Sequence, residues 1–134
     1  MRREIVIDGN KFDDLEGFYC EIDRVLTKDL PWKTGHNLNA FNDLLRGGFG
    51  VHEYGEPILL RWINFERSRV YLGFEATIKY YEKVLKTCHA SNIDSMNMKL
   101  ENAKKHIGFT ILDMILEIIL DNDNSGHDCK LETD

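Results

Sequence analysis

The stretch that decides the fold is residues 30–50, LPWKTGHNLNAFNDLLRGGFG. Asn37 is a good N-cap, because its side-chain oxygen can accept a hydrogen bond from a free backbone N–H in the first turn of a helix. Gly47 provides a stop, since glycine readily adopts left-handed backbone angles. Apolar residues recur between them at helical spacing, at Leu38, Phe41, Leu44 and Leu45. The segment predicts a glycine turn at Gly35 and a short amphipathic helix that ends at Arg46.

The outer side of this helix is polar. By the same helical spacing its residues are Asn39, Asn42, Asp43 and Arg46. A helix fixed at both ends can hold a carboxylate outward without further ordering cost when a partner binds. The pattern therefore favours a recognition surface over a catalytic cleft.

The rest of the chain alternates strands with helices. We predict strands at 4–7, 58–62 and 130–132, and further helices at about 14–28, 75–87, 92–106 and 109–121, with a polar turn at 64–68 and a loop at 121–126. The strand at 58–62 is apolar on both faces, so it belongs in the centre of a parallel sheet. We expect one α/β domain over residues 1–134, with a small three-stranded parallel sheet packed with helices.

Composition narrows the choice of partner. The chain has 134 residues and a formal net charge of −6, and no basic stripe interrupts it. Nucleic-acid binding relies on lysine and arginine, so we expect no nucleic-acid partner and instead a basic protein. Neither a signal-peptide pattern nor a membrane-spanning run is predicted, and the three cysteines (Cys20, Cys88, Cys129) suit a reducing cytoplasm.

The sequence gives only weak indications of a catalytic, metal-binding or cofactor-binding site. Cys88 and His89 are adjacent, but adjacency in sequence does not orient an imidazole onto a thiol. The histidines are scattered without metal-ligand spacing, and His127-Asp128-Cys129 in the terminal loop is their closest cluster. The glycines after Arg46 lack the lysine of a phosphate loop. We predict no enzyme, no metal and no cofactor.

The stretch resembles the inhibitory motif of barstar-type ribonuclease inhibitors. That motif has a glycine, any residue, Asn-Leu-Asp-Ala-Leu, an aspartate two residues later and a following glycine. Here the matching run is Gly35-His36-Asn37-Leu38-Asn39-Ala40-Phe41-Asn42-Asp43, then Gly47. The resemblance also covers an opening strand that ends in Asp8-Gly9 and a central strand that ends in Trp62. The helices at about 75–106 look like an insertion before the last helix.

The resemblance implies a cytoplasmic inhibitor or immunity protein that occludes the active site of a secreted or toxin ribonuclease of the barnase type. Asp43 matches the family's key acidic residue. The family also contributes a glutamate from its last helix, and here Glu117 or Asp121 is the corresponding acid. The other residues implied or expected at the interface are Trp32, Lys33, Gly35, His36, Asn39, Asn42 and Arg46.

Three positions depart from the family pattern. Asn39 stands where the family usually has an aspartate, Asn42 replaces a bulky residue, and Lys33 stands where an aromatic is common, with Trp32 beside it. These departures leave open an immunity protein for a different, non-barnase toxin. A separate alternative, from another class, is a small thiol enzyme that uses Cys88 and His89.

Overall fold

A computed structural model describes residues 2–27, 35–48 and 50–134 of the chain, and the side chain of Asn124 is not among the described parts. Its strands are β1 (Arg3–Asp8), β2 (Ile58–Ile63) and β3 (Cys129–Thr133). Within these ranges they form one parallel sheet in the order β1-β2-β3. The prediction of a three-stranded parallel sheet with the second strand in the centre is therefore confirmed.

Seven α-helices occur in the described ranges. They are α1 (Leu15–Leu26), α2 (Leu38–Arg46), α3 (Phe65–Tyr71), α4 (Phe74–Thr87), α5 (Ile93–Lys104), α6 (Ile111–Leu120) and α7 (Asn122–Ser125). The predicted helices correspond to α1, α2, α4, α5 and α6. Helix α1 ends at Leu26 with Thr27 as its C-cap, and Lys28, the predicted end of the first helix, lies outside the described residues.

The polar turn predicted at 64–68 is wrong, because helix α3 begins there. Asn64 adopts a left-handed conformation, and the helix follows directly. Trp62 supplies the reason, since its indole N–H donates to Ser68 Oγ at 2.9 Å and its ring meets Phe65 edge-on at 5.3 Å. These contacts bury two positions of α3 that look like parts of an exposed polar turn in the sequence. The loop predicted at 121–126 likewise contains the single turn α7.

The main core lies between the sheet and helices α1, α2 and α6. Phe18 of α1 is fully buried and stacks on Trp62 of β2, with ring centroids 5.5 Å apart. Helix α1 contacts β1, α6 contacts β3, and α2 touches both α1 and α6. The sheet thus positions α2 through its two neighbouring helices.

Helices α4 and α5 form a hairpin that packs mainly on itself. Its small core consists of Tyr81, Leu100 and Ala103, and it meets the main core at Tyr80 and Met114. This hairpin corresponds to the extra helical segment expected before the last long helix. None of the helices within the described ranges combines the length and the apolar composition needed to cross a membrane.

Candidate partner-binding site

Helix α2 begins with the N-cap that the sequence predicts. The Asn37 side-chain oxygen accepts from Ala40 N–H at 2.8 Å. Gly35, just before it, is exposed, and a Cβ there would lie 3.2 Å from the Asn37 amide nitrogen and 3.3 Å from the Ala40 methyl group. Glycine therefore lets the chain approach the first turn of α2 closely.

The apolar side of α2 is buried and its polar side is open. Phe41, Leu44 and Leu45 are buried, and Phe41 meets Phe18 of α1 edge-on at 5.4 Å. Asn39 and Asp43 are exposed, while Asn42 and Arg46 are half-buried. The helix is thus fixed from behind by the core and presents its polar side outward.

The end of α2 is held by the loop that follows it. Gly47 has a φ of 84° and a ψ of −160°, a combination that residues with a Cβ rarely adopt. A Cβ there would also lie 2.4 Å from the Glu53 carbonyl oxygen. The buried His52 donates from Nε2 to the Leu45 carbonyl at 2.9 Å, and Gly55 N–H bonds to the Arg46 carbonyl at 2.7 Å. These bonds satisfy carbonyls that a helix end leaves free.

Asp43 is an exposed acid on the polar side of α2. Its side chain is 61% exposed, and its Oδ1 accepts from Arg46 Nη1 at 3.0 Å. Arg46 Nε also donates to the Ser125 carbonyl, so this guanidinium connects α2 to α7. The carboxylate is oriented by its own helix and remains open to solvent on its other side.

A groove of about 160 Å³ lies between α2 and the end of α6, and its lining reaches Asn42, the residue before Asp43. It is lined by Leu38, Asn39, Asn42, Ile118, Asp121 and Ser125. Asn42 Oδ1 is buried and has no hydrogen-bond partner among the residues that the structure describes. The surface therefore joins one exposed carboxylate, two amides and a second acid.

Of the two acids considered on the last long helix, Asp121 lines this groove. Glu117 is exposed one turn earlier on α6 and is not among the groove's lining residues. Trp32 and Lys33, the other expected contact residues, lie outside the described part of the chain.

His36 precedes α2 and is connected to α1. Its Nε2 lies 2.7 Å from Asp23 Oδ2, its Nδ1 contacts Glu16 Oε1, and its ring stacks on Tyr19 at 5.6 Å. The hydrogen bonds with Asp23 and then Glu16 hold the pKa of His36 above its ordinary value, although burial opposes them. His36 thus attaches the segment before α2 to the adjacent helix.

Beside His36, the structure brings together three side chains that the sequence spacing alone did not place near one another. Glu16 Oε, Cys20 Sγ and a ring nitrogen of His36 all lie within 4.8 Å of one another. Only the spacing of Glu16 and Cys20, four residues apart on one helix face, was readable in the sequence. His36 is far from both along the chain, so its arrival depends on how α2 packs against α1.

The two other clusters considered in the sequence, Cys88-His89 and His127-Asp128-Cys129, include histidines that hydrogen-bond to neighbouring groups of the chain. His89 Nδ1 lies 2.8 Å from Ser91 Oγ, so that ring nitrogen is turned to Ser91. His127 is buried, with Nε2 donating to the Ile118 carbonyl at 3.0 Å, and Cys129 is buried in β3. Burial raises the pKa of the Cys129 thiol to about 12. Cys88 is half-buried and His89 is exposed, whereas His127 and Cys129 are buried.

The chain is similar to a known protein family. The family model for Barstar (barnase inhibitor) matches residues 2–112. The matched range includes β1, β2 and helices α1 to α5, and it ends within the first turn of α6. No curated protein matches the chain at a significant level.

Proposed function

This chain belongs to the barstar (barnase inhibitor) family, and on that premise we propose that it binds a barnase-like ribonuclease and occludes its active site. The part that enters the enzyme is the segment before α2 together with the outer side of α2. The observation that carries the proposal is the position of Asp43, whose exposed carboxylate stands on a helix fixed at both ends.

The chemistry of the partner supports this assignment. A ribonuclease must bind the phosphates of RNA, so its active site is lined with cationic groups. A carboxylate held in place by a folded helix complements such a site without an added ordering cost on binding. The net charge of −6 favours encounter with a basic enzyme. Asp43 is the main electrostatic anchor in this arrangement.

The remaining contacts follow from the groove between α2 and the end of α6. Asn39 and Asn42 line this groove and supply amide groups for the contact. Asp121 is the better placed of the two candidate acids, because it lines the same groove, whereas Glu117 lies one turn away. Trp32, Lys33, Gly35 and His36 complete the proposed contact segment.

A second candidate function rests on the departures at Asn39 and Asn42. An amide in place of a carboxylate removes one negative charge from the surface, and this changes which basic site it complements. The alternative is an immunity protein that uses the same surface to block a toxin of another type. The binding surface is the same in both cases, and the partner distinguishes them.

The test is an inhibition assay against a panel of barnase-like ribonucleases, with RNA cleavage as the readout. The panel includes any toxin encoded beside this gene. We expect at least one ribonuclease to be inhibited at a one-to-one ratio, and Asp43→Ala to release it. If the neighbouring toxin binds the chain but does not cleave RNA, the second candidate is correct. If nothing in the panel binds, both are wrong.

A further inference from the structure

Three side chains with metal-ligand atoms meet between α1 and the segment that precedes α2. Glu16 and Cys20 lie four residues apart on α1, so they share one face of the helix, and both are exposed. His36 lies opposite them and is half-buried. One ligand atom from each residue lies within 4.8 Å of the other two. The cluster thus combines a carboxylate, a thiol and an imidazole at one accessible point.

The orientation of the His36 ring is already determined. Its Nε2 lies 2.7 Å from Asp23 Oδ2, and its face stacks on Tyr19 with ring centroids 5.6 Å apart. The other nitrogen, Nδ1, faces Glu16. In metal sites a histidine ligand commonly donates its second N–H to a carboxylate, which fixes the tautomer and the ring orientation. Asp23 stands in that outer position.

We propose that Glu16, Cys20 and His36 bind one Zn²⁺ ion, with His36 coordinating through Nδ1 and a water molecule as fourth ligand. Zn²⁺ accepts sulfur, nitrogen and oxygen ligands in a tetrahedral arrangement, and three protein ligands plus water is a common set. Mg²⁺ and Ca²⁺ prefer oxygen ligands throughout, so a thiolate and an imidazole argue against them.

The distances suit such an ion. At usual zinc bond lengths a tetrahedral site separates its ligand atoms by roughly 3.3–3.8 Å. The three ligand atoms here lie within 4.8 Å of each other, and Glu16 and Cys20 can close the remaining gap by side-chain rotation because both are exposed. The Glu16–His36 hydrogen bond opens as the ion enters between the two groups. No backbone movement is required.

Proton balance follows from the ligand types. The ion replaces the proton of the Cys20 thiol and the proton on His36 Nδ1, while Glu16 coordinates as the carboxylate. Both protons are released to solvent, and no oxidation or reduction takes place. The ion then connects α1 directly to the segment before α2, so it should stabilise the folded chain by an amount that rises with the logarithm of the free Zn²⁺ concentration above the Kd.

The experiment uses the full chain without an affinity tag and freed of metal, titrated with Co²⁺ as a spectroscopic substitute for Zn²⁺. We expect one equivalent of Co²⁺ to give a thiolate-to-cobalt charge-transfer band and tetrahedral visible bands, and Zn²⁺ to remove them. Zn²⁺ should also raise the thermal midpoint, and Mg²⁺ should leave it unchanged. The absence of a sulfur band in the wild-type chain would overturn the proposal.

Variants identify the ligands. Cys20→Ser should abolish the charge-transfer band, whereas Cys88→Ser, the matched control at the far end of α4, should retain it. His36→Gln should weaken Co²⁺ binding by at least about tenfold. If the band survives in Cys20→Ser or disappears in Cys88→Ser, the assignment is wrong. Because Cys20 is exposed, its substitution should leave the fold intact, which circular dichroism checks.

Discussion

Arg46 Nη1 donates a hydrogen bond to Asp43 Oδ1, one turn earlier on α2, at 3.0 Å. The same guanidinium donates through Nε to the Ser125 carbonyl of α7. Arg46 therefore orients the exposed carboxylate and also connects α2 to α7. Because the pair is exposed, a cationic group on a partner can reach the free side of the carboxylate at little cost to the chain.

Asp43→Ala should weaken binding to the cognate ribonuclease by at least about 2 kcal/mol, the usual threshold for an interface hot spot. The thermal midpoint should stay nearly unchanged, since exposed ion pairs contribute little to stability. Titration calorimetry and thermal unfolding measure the two quantities.

Glu66→Ala is the matched control for Asp43→Ala. Glu66 pairs with Arg69 at 3.1 Å with the same spacing on α3, outside the proposed interface. It should leave the affinity unchanged. If Asp43→Ala keeps its affinity but loses stability, Asp43 is a structural residue and the recognition surface is misplaced.

Asp121→Asn should weaken the complex more than Glu117→Gln does. Asp121 lines the groove shared with Asn39 and Asn42, whereas Glu117 is exposed one turn earlier on α6. Both substitutions remove one charge at nearly constant volume, so a difference between them reports position rather than net charge. The affinities of the two variants for the ribonuclease, measured side by side, test this prediction. A larger loss of affinity for Glu117→Gln would show that Glu117, not Asp121, is the acid at the interface.

Association with the ribonuclease should slow as salt rises. Exposed charges are screened beyond about 10 Å at 0.1 M ionic strength, so steering by an acidic surface weakens. Stopped-flow rates over a salt series measure this effect. The slope should be shallower for Asp43→Ala than for Glu66→Ala, which has the same net charge. Equal slopes would show that the steering charge lies elsewhere.

Gly47→Ala should destabilise the fold by roughly 1–3 kcal/mol, the cost of backbone angles that favour glycine. The added Cβ would also lie 2.4 Å from the Glu53 carbonyl oxygen. Gly108→Ala is the control, since Gly108 also has a positive φ, of 90°, but a Cβ there meets nothing within 4 Å. Urea unfolding should show the larger loss at Gly47, and equal losses would mean that the close approach to Glu53 has no consequence.

Much of the fold could be predicted from local sequence. Asn37 and Gly47 mark the ends of α2 because capping depends on neighbouring residues. The apolar run of β2 predicts a central strand, and β2 does lie between β1 and β3, but one face is buried and the other is only half-buried. Helix α3 was missed because its anchors are contacts of Phe65 and Ser68 with Trp62, and these are made in three dimensions.

The sequence by itself determined a three-stranded α/β domain and a capped helix that presents Asp43, since periodicity, caps and stops act over a few residues. Only the tertiary structure decided that Asp121 rather than Glu117 lines the groove, because that depends on where α6 ends against α2. It alone brought His36 to Glu16 and Cys20. Contacts between residues that are distant in sequence depend on how the helices pack across the core, and the spacing of residues along the chain does not predict that packing.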